Sequence, residues 1–211
     1  MKTLAAALVA LLAVPALAAD TYKIEGSHTA ASFSVKHLLI SNVRGEFGKT
    51  EGTLVLDADV TKSVVLDVAG PTAEVKDPWG NAKRGVSATT IDTRDAKRDE
   101  HLRNADFFET AKFPKITFKS TKVEKAGDGA LKVTGDLTIK GVTKPVVLNV
   151  AGPTDEIKDP WGNTRRGLSA TTKINRKDFG VSYGPNAAVS DEVAITIDAE
   201  LLKDQPAPAK K

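Results

Sequence analysis

The chain contains no cysteine. That absence excludes disulfide staples and removes thiolates from any zinc site. Histidine is scarce too, with only His28, His37 and His101. None of them forms the HExxH pattern that holds zinc on one helix face. There is no G-x-S-x-G elbow, and the glycines build no phosphate-binding loop. Ser27 and His28 are adjacent, and neighbouring side chains on a strand diverge, so they do not make a catalytic pair. An excess of one charge is also lacking. Thirty Lys and Arg stand against 27 Asp and Glu, a formal charge of +3. No basic stripe interleaved with aromatics is present, which argues against a nucleic-acid partner.

Only the first residues carry a long apolar run. Lys2 precedes Leu4 to Val14, and Ala16-Leu17-Ala18 supplies a small-x-small cleavage site. This pattern predicts a signal peptide over 1–18, cleaved after Ala18, and a periplasmic protein. The run is too short for a membrane span, and no later segment approaches one, so no stable membrane span is expected. Without a cysteine near the cleavage site, a lipid-modified form is not expected either. The remaining chain, roughly 190 residues, is enough for one generous domain. No Gly/Ser/Pro-rich linker divides it, so residues 19–203 are expected to form a single domain. Residues 204–211, mostly QPAPAKK, are expected to be a flexible tail.

What the chain does contain is a doubled segment. Val64 to Thr90 reads VVLDVAGPTAEVKDPWGNAKRGVSATT, and Val146 to Thr172 reads VVLNVAGPTDEIKDPWGNTRRGLSATT, with six mild differences. Each copy opens on β-branched alternation and closes on a second alternating stretch. Between them lies the turn chemistry Asp77-Pro78-Trp79-Gly80 or Asp159-Pro160-Trp161-Gly162. The unit reads as an antiparallel hairpin. Each tryptophan has two readings, capping the open end of a sheet or stacking on a ligand, and capping is favoured. Two copies separated by dissimilar sequence do not make a solenoid or propeller, which stack adjacent units.

Almost everything else reads as strand. Ala31 to Leu39 alternates, placing Ala31, Phe33, Val35 and His37 on one face. Gly52 to Ala58, Lys115 to Thr121, Ala130 to Val133, Asp136 to Lys140 and Val193 to Leu201 behave alike. Many short strands with regular turn signals imply a sandwich or barrel. One short charged helix is expected near Asp95 to Ala105, capped by Asp92 or Thr93, with Phe107, Phe108 and Phe113 seating it on one end of a barrel. His101 on that helix reads as a surface or packing residue. His37, on an apolar face, reads either as a hydrogen-bonded core histidine or as a polar anchor in a lipophilic cavity.

Several stretches line up, in order, with one family. These are Ser27-His28-Thr29, Phe33-Ser34-Val35-Lys36-His37-Leu38 and Val43-Arg44-Gly45-Glu46-Phe47. They continue with Ile91-Asp92-Thr93-Arg94-Asp95, Arg98-Asp99-Glu100-His101-Leu102, Asp106-Phe107-Phe108 and Phe113-Pro114-Lys115-Ile116-Thr117-Phe118. Gly135 to Lys144 (GDLTIKGVTK) and Ile174 to Gly180 (INRKDFG) complete them. From about Tyr22 to Leu201 the chain resembles the YceI-like family of periplasmic polyisoprenoid-binding proteins. The resemblance implies an all-β fold: an antiparallel lipocalin-like β-barrel of about eight strands with one short helix. It also implies a long-chain isoprenoid lipid, polyprenyl or quinone-type, held inside and carried or sequestered, with no cofactor and no metal.

On that footing, alternation nominates Phe33, Val35, His37, Ile116, Phe118, Leu137, Ile139, Ile195 and Ile197 as ligand-facing. Trp161 and Phe179 are expected near a mouth, and His37 or Arg44 is expected to orient a head group. The doubled segment departs from the family pattern, in which the strand from Ser63 runs almost directly into Ile91. About twenty residues, roughly 69–88, are therefore read as an inserted extra hairpin, and the later copy as the native one. Two other readings stay open: an enzyme acting on an apolar substrate inside the barrel, and a stress-related interaction module whose cavity is incidental. Edge strands also permit a homodimer.

Overall fold

Alternating strands hide an apolar face only when that face turns toward itself, and this chain does so by curling one antiparallel sheet. The computed structural model describes residues 19–48, 50–57, 66–69 and 86–204, with 66–69 and 86–87 as backbone. The expected signal peptide, the body of the first repeat copy with its expected hairpin, and the tail from 205 lie outside the described residues.

In chain order the strands are β1 (Asp20–His37), β2 (Ser41–Phe47), β3 (Glu51–Leu56), β4 (Leu66–Ala69), β5 (Val86–Ser87) and β6 (Ile91–Asp92). The helix α1 (Ala96–Arg103) follows, then β7 (Lys115–Lys125), β8 (Ala130–Ile139), β9 (Val142–Ala151), β10 (Ile157–Lys158), β11 (Thr164–Asn175) and β12 (Val189–Lys203). Long β1 pairs with β12 on one edge; on the other it pairs with β3 at its start and β2 at its end. The ladder then runs β3, β4, β7, β8, β9, β11 and back to β12. The pairing returns on itself. With β2–β3 and β4–β5 each counted as one broken strand, the wall has eight positions, the expected number. Between Glu25 and Ala30 the β1–β12 register shifts, because Glu25 faces Glu200 while Ala30 already faces Asp198. Such a bulge bends a strand, as closing a wall requires.

Two glycines let aromatic rings lie flat against this wall. A Cβ on Gly45 would stand 2.5 Å from Cζ of Phe33, its cross-strand partner. On Gly135 it would stand 2.4 Å from Cζ of Phe118. Both glycines leave the space that an inward-facing phenylalanine fills.

The two repeat copies are used differently. In the second, Ala151 pairs with Ser169 and the segment closes on itself as the expected hairpin. The matching residues of the first copy, Ala69 and Ser87, pair instead with Glu51 and Lys115. Both β4 and β5 lie antiparallel to β7: Val68 faces Phe118 and Val86 faces Ile116. Opposite Ile116 an unbroken strand would have placed residue 70. The sixteen residues 70–85 are thus surplus to the ladder, so the interruption falls within one wall strand rather than between two.

The helix forms where the sequence predicts it, but its cap is Asp95, whose side chain accepts from the backbone N–H of Lys97 and Arg98. The two residues expected to cap serve elsewhere. Asp92 accepts from Arg94 N–H, and Thr93 joins a buried cluster in which Asp99 accepts from the Thr93 N–H (2.9 Å) and hydroxyl (2.5 Å). Arg98 donates to the Thr93 hydroxyl and carbonyl, and Arg103 to the carbonyls of Thr89 and Ile91. This network bolts a strongly charged helix to the barrel without an apolar face.

Candidate functional site

The inward faces of the wall enclose a cavity of about 760 Å³. It occupies one end. β1 contributes Ala31, Phe33 and Val35, β2 adds Val43 and Phe47, and β7 and β8 add Ile116, Phe118, Leu137 and Ile139. Val193, Ile195 and Ile197 on β12 and Ile174 on β11 complete the wall. Side chains alternate across a strand, so each strand lends every second residue. Helix α1 and the segment after it close over this end with Leu102, Phe107 and Phe108. Phe33, Phe47 and Phe108 form a ring-to-ring chain at centroid distances of 5.6 and 5.9 Å.

A second lid segment depends on Arg176, in a short 3₁₀ turn Arg176–Phe179. Arg176 is buried, and its guanidinium donates to the carbonyls of Val181 (2.7 Å), Tyr183 (2.9 Å), Ser190 (3.0 Å) and Val189 (3.1 Å). These bonds hold the loop that brings Val181, Tyr183, Pro185 and Ala188 to the cavity. Exposed lining residues mark the mouth: Lys36, His37, Tyr183 and Pro185. His101 stands there as well, edge-on to Phe107 (5.0 Å) and Tyr183 (5.1 Å), with Nε2 2.8 Å from an Asp106 carboxylate oxygen.

The opposite end is closed. Tyr22, Ile24, Leu54, Leu148, Val150, Leu168 and Leu201 fill it. Over them the loop between β9 and β11 folds as a polar plug. The Tyr22 hydroxyl donates to Glu156 (2.5 Å) and accepts from Arg166 Nε (3.0 Å). Lys203 bridges Glu156 (2.9 Å) and Asp20 (2.7 Å). Arg165 pairs with Asp159 at 2.7 Å and with Glu200. Burial, then the bond to Glu156, pushes the Tyr22 phenol up, while bonds from Tyr22 and Lys203 hold Glu156 low. Burial also works to raise Asp159, but hydrogen bonds from Asn163 and Arg165 outweigh it and hold the carboxyl at about 2. At the β1 bulge, the Ser27 hydroxyl most of all holds Glu25 at about 2, against burial and helped by His28. The shifted groups all belong to the closed end or to the helix cap.

Of the twelve residues that the sequence nominates, ten line the cavity: Phe33, Val35, His37, Ile116, Phe118, Leu137, Ile139, Phe179, Ile195 and Ile197. His37 stands at the exposed rim rather than deep inside. Two nominations are corrected. Arg44 faces Ser34 between inward-facing Val43 and Gly45, so strand parity turns it to the outer surface. Trp161 lies in the turn beyond the start of β11, whereas the cavity meets β11 at Ile174. At roughly 3.3 Å per residue that separation spans most of the barrel. Trp161 is 81% exposed, so it neither stacks at the mouth nor caps the sheet. Sequence reasoning missed some strand residues, among them Val43, Phe47, Ile174 and Val193. It also missed Arg98, His101, Leu102, Phe107, Phe108, Val181 and Tyr183, which sit on helix and loops where no two-residue period marks the inner face.

The fold and site together define a closed antiparallel β-barrel with an apolar cavity at one end. The chain belongs to the YceI-like family: the family model for the YceI-like domain matches residues 22–201. Protein YceI of Escherichia coli O17:K52:H18 is 42% identical over 189 residues, covering 88% of this chain and 87% of that protein. The crystal structure of the Campylobacter jejuni YceI protein superposes with a TM-score of 0.66 at 30% identity, covering 81% of this chain and 90% of that one. A polyisoprenoid-binding domain from Saccharophagus degradans, at 13% identity, shares the fold with a TM-score of 0.60 over 87% of this chain and 98% of that one.

Proposed function

We propose that this barrel binds a long-chain isoprenoid lipid, polyprenyl or quinone-type, as an exported periplasmic carrier or sequestering protein rather than an enzyme. The observation that carries the reading is the cavity itself: about 760 Å³ walled mainly by apolar side chains, with Lys36, His37 and Tyr183 exposed at the mouth. A cavity of that size falls in the range of ligand pockets, about 300–1,000 Å³, and accepts a chain of methylene-sized groups. Each buried group contributes about 0.8 kcal/mol, so a hydrocarbon tail needs few polar contacts along its length. A polar head group would rest among His37, His101 and Arg98, where the cavity opens. The polyisoprenoid-binding description of the Saccharophagus domain supports the same ligand class. The sequence pattern of residues 1–18 supports export.

Native mass spectrometry and organic extraction of protein purified from a bacterial periplasm test the reading. The expected result is one isoprenoid lipid per chain, lost when Ile195→Trp fills the cavity. A barrel recovered empty, and taking up no added polyprenol, would overturn it.

A further inference from the structure

The β1–β2 turn places Leu38, Leu39 and Ile40 in solvent, 52%, 63% and 83% exposed. No other three consecutive large apolar residues stand so open among the described residues. Backbone needs do not explain them. Leu38 and Leu39 have φ of 51° and 59°, a conformation that selects glycine or asparagine, yet leucines occupy it. Exposed leucines in a left-handed backbone are a sign of function rather than of folding need.

Position and charge say what that is. The turn joins the cavity rim directly: Leu38 N–H donates to the carbonyl of Ala188, a lining residue, and His37 precedes it on the wall. From Gly26 to Gly45 the sequence has no carboxylate. Lys36 and Arg44, both exposed, flank the tip on the outer face of adjacent strands. They stand about two and four residues back from the apolar turn, some 7 to 13 Å along the strands. That spacing suits an apolar tip sunk about 5–10 Å, with cations left at phosphate level. The other exposed apolar pair, Ile157 and Trp161, stands among mixed charges, Asp155, Glu156 and Asp159 with Lys158 and Arg165, and lacks a border of cations alone.

We infer that Leu38-Leu39-Ile40 is a membrane-docking tip, which seats the cavity mouth on an anionic bilayer so that a lipid passes between bilayer and barrel without crossing water. The inference rests on the lipid-binding reading for its purpose, but not for its test. Mature full-length protein is sedimented with vesicles of phosphatidylcholine and phosphatidylglycerol at 3:1. Wild type pellets, and Leu39→Asn with Ile40→Ser lowers partitioning at least tenfold while keeping its thermal melt; asparagine suits the backbone at 39. Lys36→Ala with Arg44→Ala weakens binding roughly fivefold per cation on these vesicles but not on pure phosphatidylcholine. Wild type left in the supernatant, or a tip variant that pellets equally, overturns the inference. So does a wild-type dimer that the tip variant converts to monomer, because a second copy would then be the occupant. Lipid extracted from the same preparation separates the two readings: an empty barrel that still docks through its tip defeats the ligand assignment alone.

Discussion

The two ends of this barrel are built from the same strands and filled by opposite means. On β12 the inward residues run Val193, Ile195, Ile197, Ala199, Leu201. The first three line the cavity, whereas Leu201 is fully buried in packed core. One strand face therefore passes from void to solid within eight residues. What differs is what lies across from it. At the closed end, Tyr22 and Leu168 belong to the packed core and the ion-paired plug of Glu156, Arg166 and Lys203 bonds to the Tyr22 hydroxyl and closes over it. At the open end, aromatic rings lie flat over Gly45 and Gly135, and loops rather than side chains form the lid. A barrel of this width does not enforce a cavity; the side chains and the lid decide where one forms.

The sharpest way to break the comparison is to truncate both ends of that one face. Leu201→Ala should cost about 2–5 kcal/mol, the range for a buried leucine whose site only partly collapses. Ile195→Ala should cost about 1 kcal/mol in lipid-free protein, because one side of Ile195 already faces empty space and has fewer contacts to lose. Urea unfolding of the two variants gives the numbers. Equal costs would mean that the open end is packed in solution and the comparison fails.

A smaller effect is expected in the wall that joins the ends. Deleting residues 70–85 connects Ala69 to Val86, which already occupy successive places along β7. Removing a sixteen-residue excursion relieves loop-closure entropy, worth up to about 2 kcal/mol by the logarithmic law. It also removes the part of the first copy that matches 152–167, and with it a source of alternative pairings of nearly equal energy. The shortened protein should melt at or above the wild-type temperature and keep its lipid occupancy. A shortened chain that fails to fold would make residues 70–85 a required part of the fold.

How much of this is legible in the sequence follows from period and distance. Alternation is local, so it assigns Phe33, Ile116, Leu137 and Ile195 to an inner face unaided. Nearness to the rim suggests Arg44 as a head-group contact, but the parity of Val43 and Gly45 turns it outward. Trp161 is hard to place because nothing local says which end of a barrel is open. That choice rests on bonds such as Tyr22 to Glu156, 134 residues apart. The lid is invisible for a different reason: Phe107, Val181 and Tyr183 sit in loops, whose inner face follows Arg176 and its carbonyl partners rather than a repeat. The doubled segment shows the limit most directly. Ala69 and Ala151 share their neighbours in sequence, but one pairs with β3 and the other with β11, so flanking strands override local preference.

The smallest effect separates the ends by pH. Glu25, beside the plug at the β1 bulge, has an ordinary value of 4.5 and a folded value of about 2. A carboxyl depressed on folding stabilises fully above its unfolded value, and that contribution is lost as pH falls through 4.5 toward 2. The full shift overstates the gain, because the Glu25 side chain keeps 23% of its surface in water. After allowance for screening, about 1 kcal/mol is the appropriate scale. Wild type should therefore exceed Glu25→Gln by about 1 kcal/mol at pH 7, and more than half of that margin should be gone by about pH 3. Paired urea titrations at the two pH values measure it. Among the described residues the cavity wall carries no carboxylate, so Ile195→Ala should lose no comparable margin over the same interval. If the Glu25 margin holds constant with pH, the bulge carboxylate is not an anchor of the closed end. If the Ile195 margin shifts instead, acid acts on the mouth.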